Sequence, residues 1–122
     1  MRIEPNSTIP IFQQIVEGIR SAVAAGVYKP GDLIPSVRAQ AVASLVNPNT
    51  VQRAYEQLER EGLITSRKGM GMVVAANGQD VAQDGTVRSV QTAFVQGIGL
   101  GKQAGLSRPA IDKIYRQSWS QP

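Results

Sequence analysis

Asn47, Asn49, Thr50, Gln52 and Arg53 stand within seven consecutive residues of this 122-residue chain. None of them is a nucleophile beside a base, and none is a ligand set for a metal. Their chemistry is hydrogen-bond reading. A carboxamide donates and accepts at once, which matches the N6 and N7 edge of adenine. A guanidinium presents a fork of donors, which matches guanine O6 and N7, and each good pair discriminates by roughly 1–3 kcal/mol. Taken alone, the same stretch also fits the solvated polar face of an ordinary amphipathic helix.

The elements around it decide what such a face is for. Val51, Ala54, Tyr55 and Leu58 repeat at i, i+3, i+4, i+7, the spacing of one buried helical stripe. At 100° per residue, Asn49, Gln52, Arg53, Glu56 and Arg60 fall on the opposite side. Asn47 can cap this helix, Pro48 suits its first position and Gly62 suits its end. A shorter helix is predicted after Pro35, capped by Ser36, with Val37, Ala41 and Val42 inward. An earlier one, about residues 10–25, carries Phe12, Ile15, Val16, Ile19 and Val23, with Pro10 in its first turn and Gly26 at its end. After Gly62, residues 63–67 and 72–75 read as two strands joined by Lys68-Gly69-Met70-Gly71, a hairpin with Gly where positive φ is needed. The sequence therefore predicts a mainly α fold with a small β-hairpin: a winged helix-turn-helix over residues 1–76. The polar, Gly-containing segment 77–85 reads as a linker, and residues 86–122 as a tail of two helices.

Composition removes several classes. There is no cysteine and no histidine, so disulfides, Cys/His metal sites, cysteine nucleophiles and His-based triads are out. The nine acidic residues are scattered, and no constellation of nucleophile and base exists, so the expectation is a non-enzyme without cofactor or metal. No apolar run approaches the ~18–20 residues that span a bilayer, so no membrane partner is expected. Met1-Arg2-Ile3 reads as a true start, and the expected location is the cytoplasm. The charge is +4, with 13 basic and 9 acidic residues, which favours a polyanionic partner only weakly. Residues 1–76 and residues 77–122 each carry +2. Net charge thus fails to single out a binding region, and placement must do so.

In a helix-turn-helix the N-terminal residues of the second helix enter the major groove while the first helix crosses the backbone. Double-stranded DNA is the expected partner. Arg38, in the first turn of the shorter helix, is placed for a phosphate or a base edge; its competing role is an ion pair with Asp32. Ser36 and nearby amides could hold a phosphate at that helix start, and Ser36 could also cap. Arg67 and Lys68 at the hairpin tip suit a phosphate track or the minor groove, with Gly69 allowing close backbone approach. Their competing role is a charged edge that resists aggregation.

Four stretches in order resemble the GntR family of bacterial transcriptional regulators: Gly31 to Arg38, Val46 to Tyr55, Glu59 to Ile64 and Arg67 to Gly71. The match covers about residues 9–75, and the short helical tail is similar to the YtrA-like subfamily, in which two helices mediate dimerisation. The resemblance implies DNA contacts from Arg38, from Asn47, Asn49, Thr50, Gln52 and Arg53, and from Lys68 and Gly69. It also implies repression, with a transporter operon as target. Three positions depart from the family pattern. Gln40 stands where an apolar core residue is usual, Leu45 where the turn glycine is usual, and Met72 where Thr is common.

One winged helix reads only a few base pairs, so a homodimer on a pseudo-palindromic operator is expected. Val87, Val90, Phe94, Ile98, Ile111, Ile114, Tyr115 and Trp119 are the candidate dimer core; packing within one protomer is the alternative. Gly97, Gly101 and Gly105, spaced by four, either permit close helix approach or break the helix. The Gly97-to-Lys102 run lacks the first Gly and the following Ser or Thr of a P-loop. The tail is too small for an obvious effector pocket, though a small ligand could bind at the interface. The rival reading is a winged-helix module that binds protein through its third helix.

Overall fold

A computed structural model describes residues 1–122. Helix α1 (Ile11–Ala24) begins one residue after Pro10, which lies outside the helix as its cap position. It ends where Gly26 adopts φ 79°, and Val27 N–H then donates to Ala22 O at 2.8 Å. Its stripe of Ile15, Val16, Ile19 and Val23 is buried. Helix α2 (Val37–Ser44) starts on Ser36, whose Oγ accepts from Ala39 N–H at 3.1 Å. Helix α3 (Pro48–Arg60) starts on Asn47, whose Oδ1 accepts from Asn49 N–H at 2.8 Å. Val51, Ala54, Tyr55 and Leu58 are all buried, as their spacing predicts. The Tyr55 hydroxyl donates to Pro35 O at 2.7 Å, tying α3 to the entry of α2. Burial holds this phenol's pKa above its ordinary value, and Tyr28 adds to the effect.

Val42 does not point inward as expected; it is exposed. The inward stripe of α2 is Val37, Gln40, Ala41 and Ser44, and Val42 is rotated 100° past Ala41. Gln40 is thus a core residue, only 5% exposed. Its amide donates to Ser44 Oγ at 2.6 Å, so the polar group is satisfied in place. Leu45 ends α2 with φ 54° and ψ 48°, doing the work of the usual turn glycine with its side chain 93% exposed.

Strands β1 (Ile64–Arg67) and β2 (Gly71–Val74) pair antiparallel, with Ile64 opposite Val74 and Arg67 opposite Gly71. A third edge was not anticipated from the sequence. Leu33 bridges Val73, Gly31 N–H donates to Val74 O, and Ile34 N–H donates to Met72 O.

Residues 78–85, expected as a linker, are helical: α4 runs Gly78–Gln103 without a break. The glycines that suggested a linker are points of close approach instead. A Cβ on Gly78 would lie 2.7 Å from Leu63 O, and one on Gly85 would lie 3.0 Å from Arg20 Cδ. Ala82 is fully buried, and the Gln79 and Gln83 amides donate to Ala24 O at the end of α1. The chain divides into two compact units, Met1–Thr86 and Val87–Pro122. The second holds the rest of α4 and helix α5 (Arg108–Ser118), which starts on Ser107. Gly105, at φ 79°, makes the turn between them. A Cβ on Gly101 would lie 3.0 Å from Ile111 Cδ1, whereas Gly97 and Gly99 face open space. No helix is long and apolar enough to cross a membrane.

Candidate nucleic-acid interface

The cations of the first unit differ in whether a carboxylate faces them. Arg20 is 8% exposed on α1 and is bound by Glu17 and Glu61. Burial pulls its pKa down, the two carboxylates push it up, and the net shift is upward, so it stays charged. Arg2 pairs with Glu4. Arg38, Arg53, Arg67 and Lys68 are exposed and have no carboxylate partner within ion-pair distance. The expected competitor for Arg38 is engaged elsewhere: Asp32 accepts from Lys29 N–H at 2.9 Å. The cations proposed for DNA are therefore among those the protein leaves unneutralised, together with Lys29 and Arg60.

Hydrogen bonds link the three elements that carry these residues. The Tyr55–Pro35 hydrogen bond sets the start of α2, with Ser36 and Arg38, beside α3. The Ile34–Met72 hydrogen bond then sets the same segment against β2, whose first residue Gly71 closes the Arg67–Lys68 turn. Gly69 has φ 79° and nothing near its would-be Cβ, so the turn conformation is itself sufficient reason for glycine there. Met70 at the tip is half-exposed, and nothing in the structure explains it.

Within α3 the polar residues differ in availability. Asn49, Gln52 and Arg53 are exposed, while Thr50 is half-buried. Asn47 spends its carboxamide oxygen on capping, which leaves only its NH₂ group to donate outward. Gln52 Nε2 donates to Glu56 Oε1 at 3.2 Å. That contact holds a carboxylate close behind the polar end of the helix, where it would repel phosphate. Arg53 lies over the ring of Phe12, with its guanidinium carbon 4.4 Å from the centroid. The sequence offers no clue to that pairing, because Phe12 falls at core spacing on α1 and counts simply as an apolar residue.

The second unit has a different surface. Helix α5 buries none of its residues. Phe94, Ile98, Leu106, Ile114 and Tyr115 are all at least 40% exposed and, with Ile111 and Gly101, line an apolar groove of about 610 Å³. Phe94 meets Tyr115 edge-on, and Tyr115 meets Trp119 in the same way, with centroids 6.0 Å apart in each pair. Val87 and Val90 are exposed on the same helix as Phe94 and Ile98.

A helix-turn-helix with a two-stranded wing, free cations on that wing and a polar-faced third helix is the architecture of a winged-helix DNA-binding regulator. The description of bacterial regulatory proteins of the gntR family matches residues 11–74. The chain belongs to that family and is a DNA-binding transcriptional regulator. It is 36% identical over 115 residues to the HTH-type transcriptional repressor YtrA of Bacillus subtilis (strain 168), covering 94% of this chain and 86% of that one. Among solved structures it is similar to a GntR family transcriptional regulator from Listeria monocytogenes, with a TM-score of 0.75 and 27% identity over 92% of this chain and 97% of that one. It is also similar to YtrA from Sulfolobus acidocaldarius, a GntR-family transcription factor, with a TM-score of 0.60 and 30% identity over 99% and 97%. These likenesses extend over the tail as well as the winged helix.

Proposed function

We propose that the chain works as a homodimeric repressor that binds a pseudo-palindromic operator in the bacterial cytoplasm. The observation that carries the dimer is the unburied apolar face of α4 and α5, where Val87, Val90, Phe94, Ile98, Ile114, Tyr115 and Trp119 stand exposed beside half-buried Ile111. A second copy laid on that face would remove it from water. Two recognition helices would then meet half-sites about one helical turn apart. Asn49, Gln52 and Arg53 read base edges in this reading. Ser36, Arg38, Arg67 and Lys68 hold phosphates, with Asn47, Thr50 and Gly69 positioning the backbone around them. Repression is favoured by the likeness to a relative named as a transcriptional repressor. An apolar effector would find its place in the same groove, in competition with the second copy.

Selection of bound duplexes from a random library, with sedimentation of the free protein, tests this proposal. The expected result is an inverted repeat and a dimer. Binding should weaken by about 10³-fold between 50 and 200 mM salt if some six phosphates are neutralised. A monomer that enriches a single half-site would sink the dimer. Salt-insensitive binding with no enriched sequence would favour the rival protein-interaction role for α3.

A further inference from the structure

Phe12 sits one turn before Ile15 on α1, at the end of the stripe that packs against α3. It is only half-buried at the margin of the core. The Arg53 guanidinium lies over its ring at 4.4 Å, within the range of a cation–π contact. Arg53 makes no ion pair. Glu56, the acid three residues along the same helix, is occupied by Gln52. The only partner of this guanidinium is therefore an aromatic face. An aromatic ring takes none of the five N–H donors in a full hydrogen bond, so they stay available to a base edge.

We propose that Phe12 is a positioning residue for DNA reading: a platform that pre-orients the Arg53 fork before DNA arrives. This rests on the assignment of Arg53 as a base-edge contact made above. The gain is entropic. An arginine has many rotamers to lose when it pairs bidentately, and a side chain already seated in one region loses fewer. A residue that never touches DNA would thus sharpen base choice from the neighbouring helix.

The test uses the full chain and the duplex enriched from the random library by the unaltered protein. Selection is repeated with Arg53→Ala, Phe12→Leu, Phe12→Tyr and the Phe12→Leu/Arg53→Ala double variant, with thermal unfolding of each. Arg53→Ala is expected to relax one base position in each half-site. Phe12→Leu should relax the same position and weaken binding about two- to fivefold. Phe12→Tyr, which keeps the ring, should restore both. The double variant should bind no worse than Arg53→Ala alone, because the platform has lost its passenger. If Arg53→Ala relaxes a position and Phe12→Leu does not, the platform is overturned while the reading of Arg53 stands. If Arg53→Ala leaves base preference unchanged and both variants only lower the unfolding temperature, both assignments fall and the pair is a clamp between α1 and α3. Should Phe12→Leu not fold, the comparison of Phe12→Tyr with Arg53→Ala still decides. A tyrosine variant that relaxes the Arg53 position despite its intact ring would overturn the platform, and one that keeps it would support it.

Discussion

The two units of this chain treat their apolar residues in opposite ways. In Met1–Thr86, Ile15, Ile19, Leu58, Leu63 and Ile64 are wholly inside, and no buried side-chain polar atom lacks a partner. In Val87–Pro122, α5 buries nothing and the aromatic residues stand at the surface. The first unit builds a closed core of its own, and the unpaired Arg38, Arg53, Arg67 and Lys68 that it leaves exposed are available for a partner. The second unit leaves an apolar surface that a second copy can cover. Along α4, two pairs of glycines differ in the same way, although Gly101 packs on Ile111 within the second unit. Gly78 and Gly85 are pressed against their own unit, whereas Gly97 and Gly99 face open space.

The largest expected effect comes from cutting the chain between the units. A fragment ending at Thr86 should remain folded and monomeric, and should lose about a hundredfold or more in operator affinity, because the second half-site is no longer tethered to the first. Sedimentation and titration with the enriched duplex measure both. A dimeric fragment would abolish the contrast. A cut after Ala76 would also strip the buried Ala82 from the core and should unfold more easily than the longer fragment.

Next comes the buried cation. Arg20→Met removes the shared partner of Glu17 and Glu61 and should destabilise the first unit by about 2 kcal/mol, less than for a fully buried pair because both carboxylates reach solvent. Denaturant unfolding gives the value. Little or no loss would mean that the cluster only fills space.

An effect of comparable size separates the glycines. Gly78→Ala should cost about 1–3 kcal/mol, since its Cβ would meet the immovable carbonyl of Leu63. Gly97→Ala should instead favour the helix by about 0.5–1 kcal/mol. If Gly97→Ala also weakens self-association, the open space beside it belongs to the partner copy. Equal costs at both sites, read from unfolding curves, would erase the distinction between the units.

The smallest effect is at the turn. Leu45 bears the strain of a left-handed conformation while its side chain contacts almost nothing. Leu45→Gly should relieve that strain at the expense of chain entropy, for a net gain of about 0.5 kcal/mol. A loss in thermal unfolding would show that the exposed leucine makes a contact that outweighs the strain.

Much of the first unit was legible because its signals are local. The Val51, Ala54, Tyr55 and Leu58 stripe, the Ser36 and Asn47 caps, and the Gly69 turn are relations between residues a few positions apart. The candidate interface was legible to the same degree, as residue types at spacings along α2, α3 and the hairpin. Misreadings arose where a local pattern had a distant cause. Gly78 and Gly85 look like linker residues until Leu63 and Arg20 are seen against them. Gln40 looks misplaced until its amide is seen donating a hydrogen bond to Ser44 Oγ. Leu33 joins the sheet through Val73, forty residues away along the chain.

The sequence by itself determined the order of elements, the starts of α2 and α3, the face of α3 that is buried, and the family. Those features follow from backbone preferences and side-chain periodicity, which act between neighbours. Only the tertiary structure decided that α4 begins on the core, that Arg38 is free while Arg20 is paired, and that Arg53 lies over Phe12. Each of those is a contact between distant segments, and short-range propensity carries no record of which segments will meet.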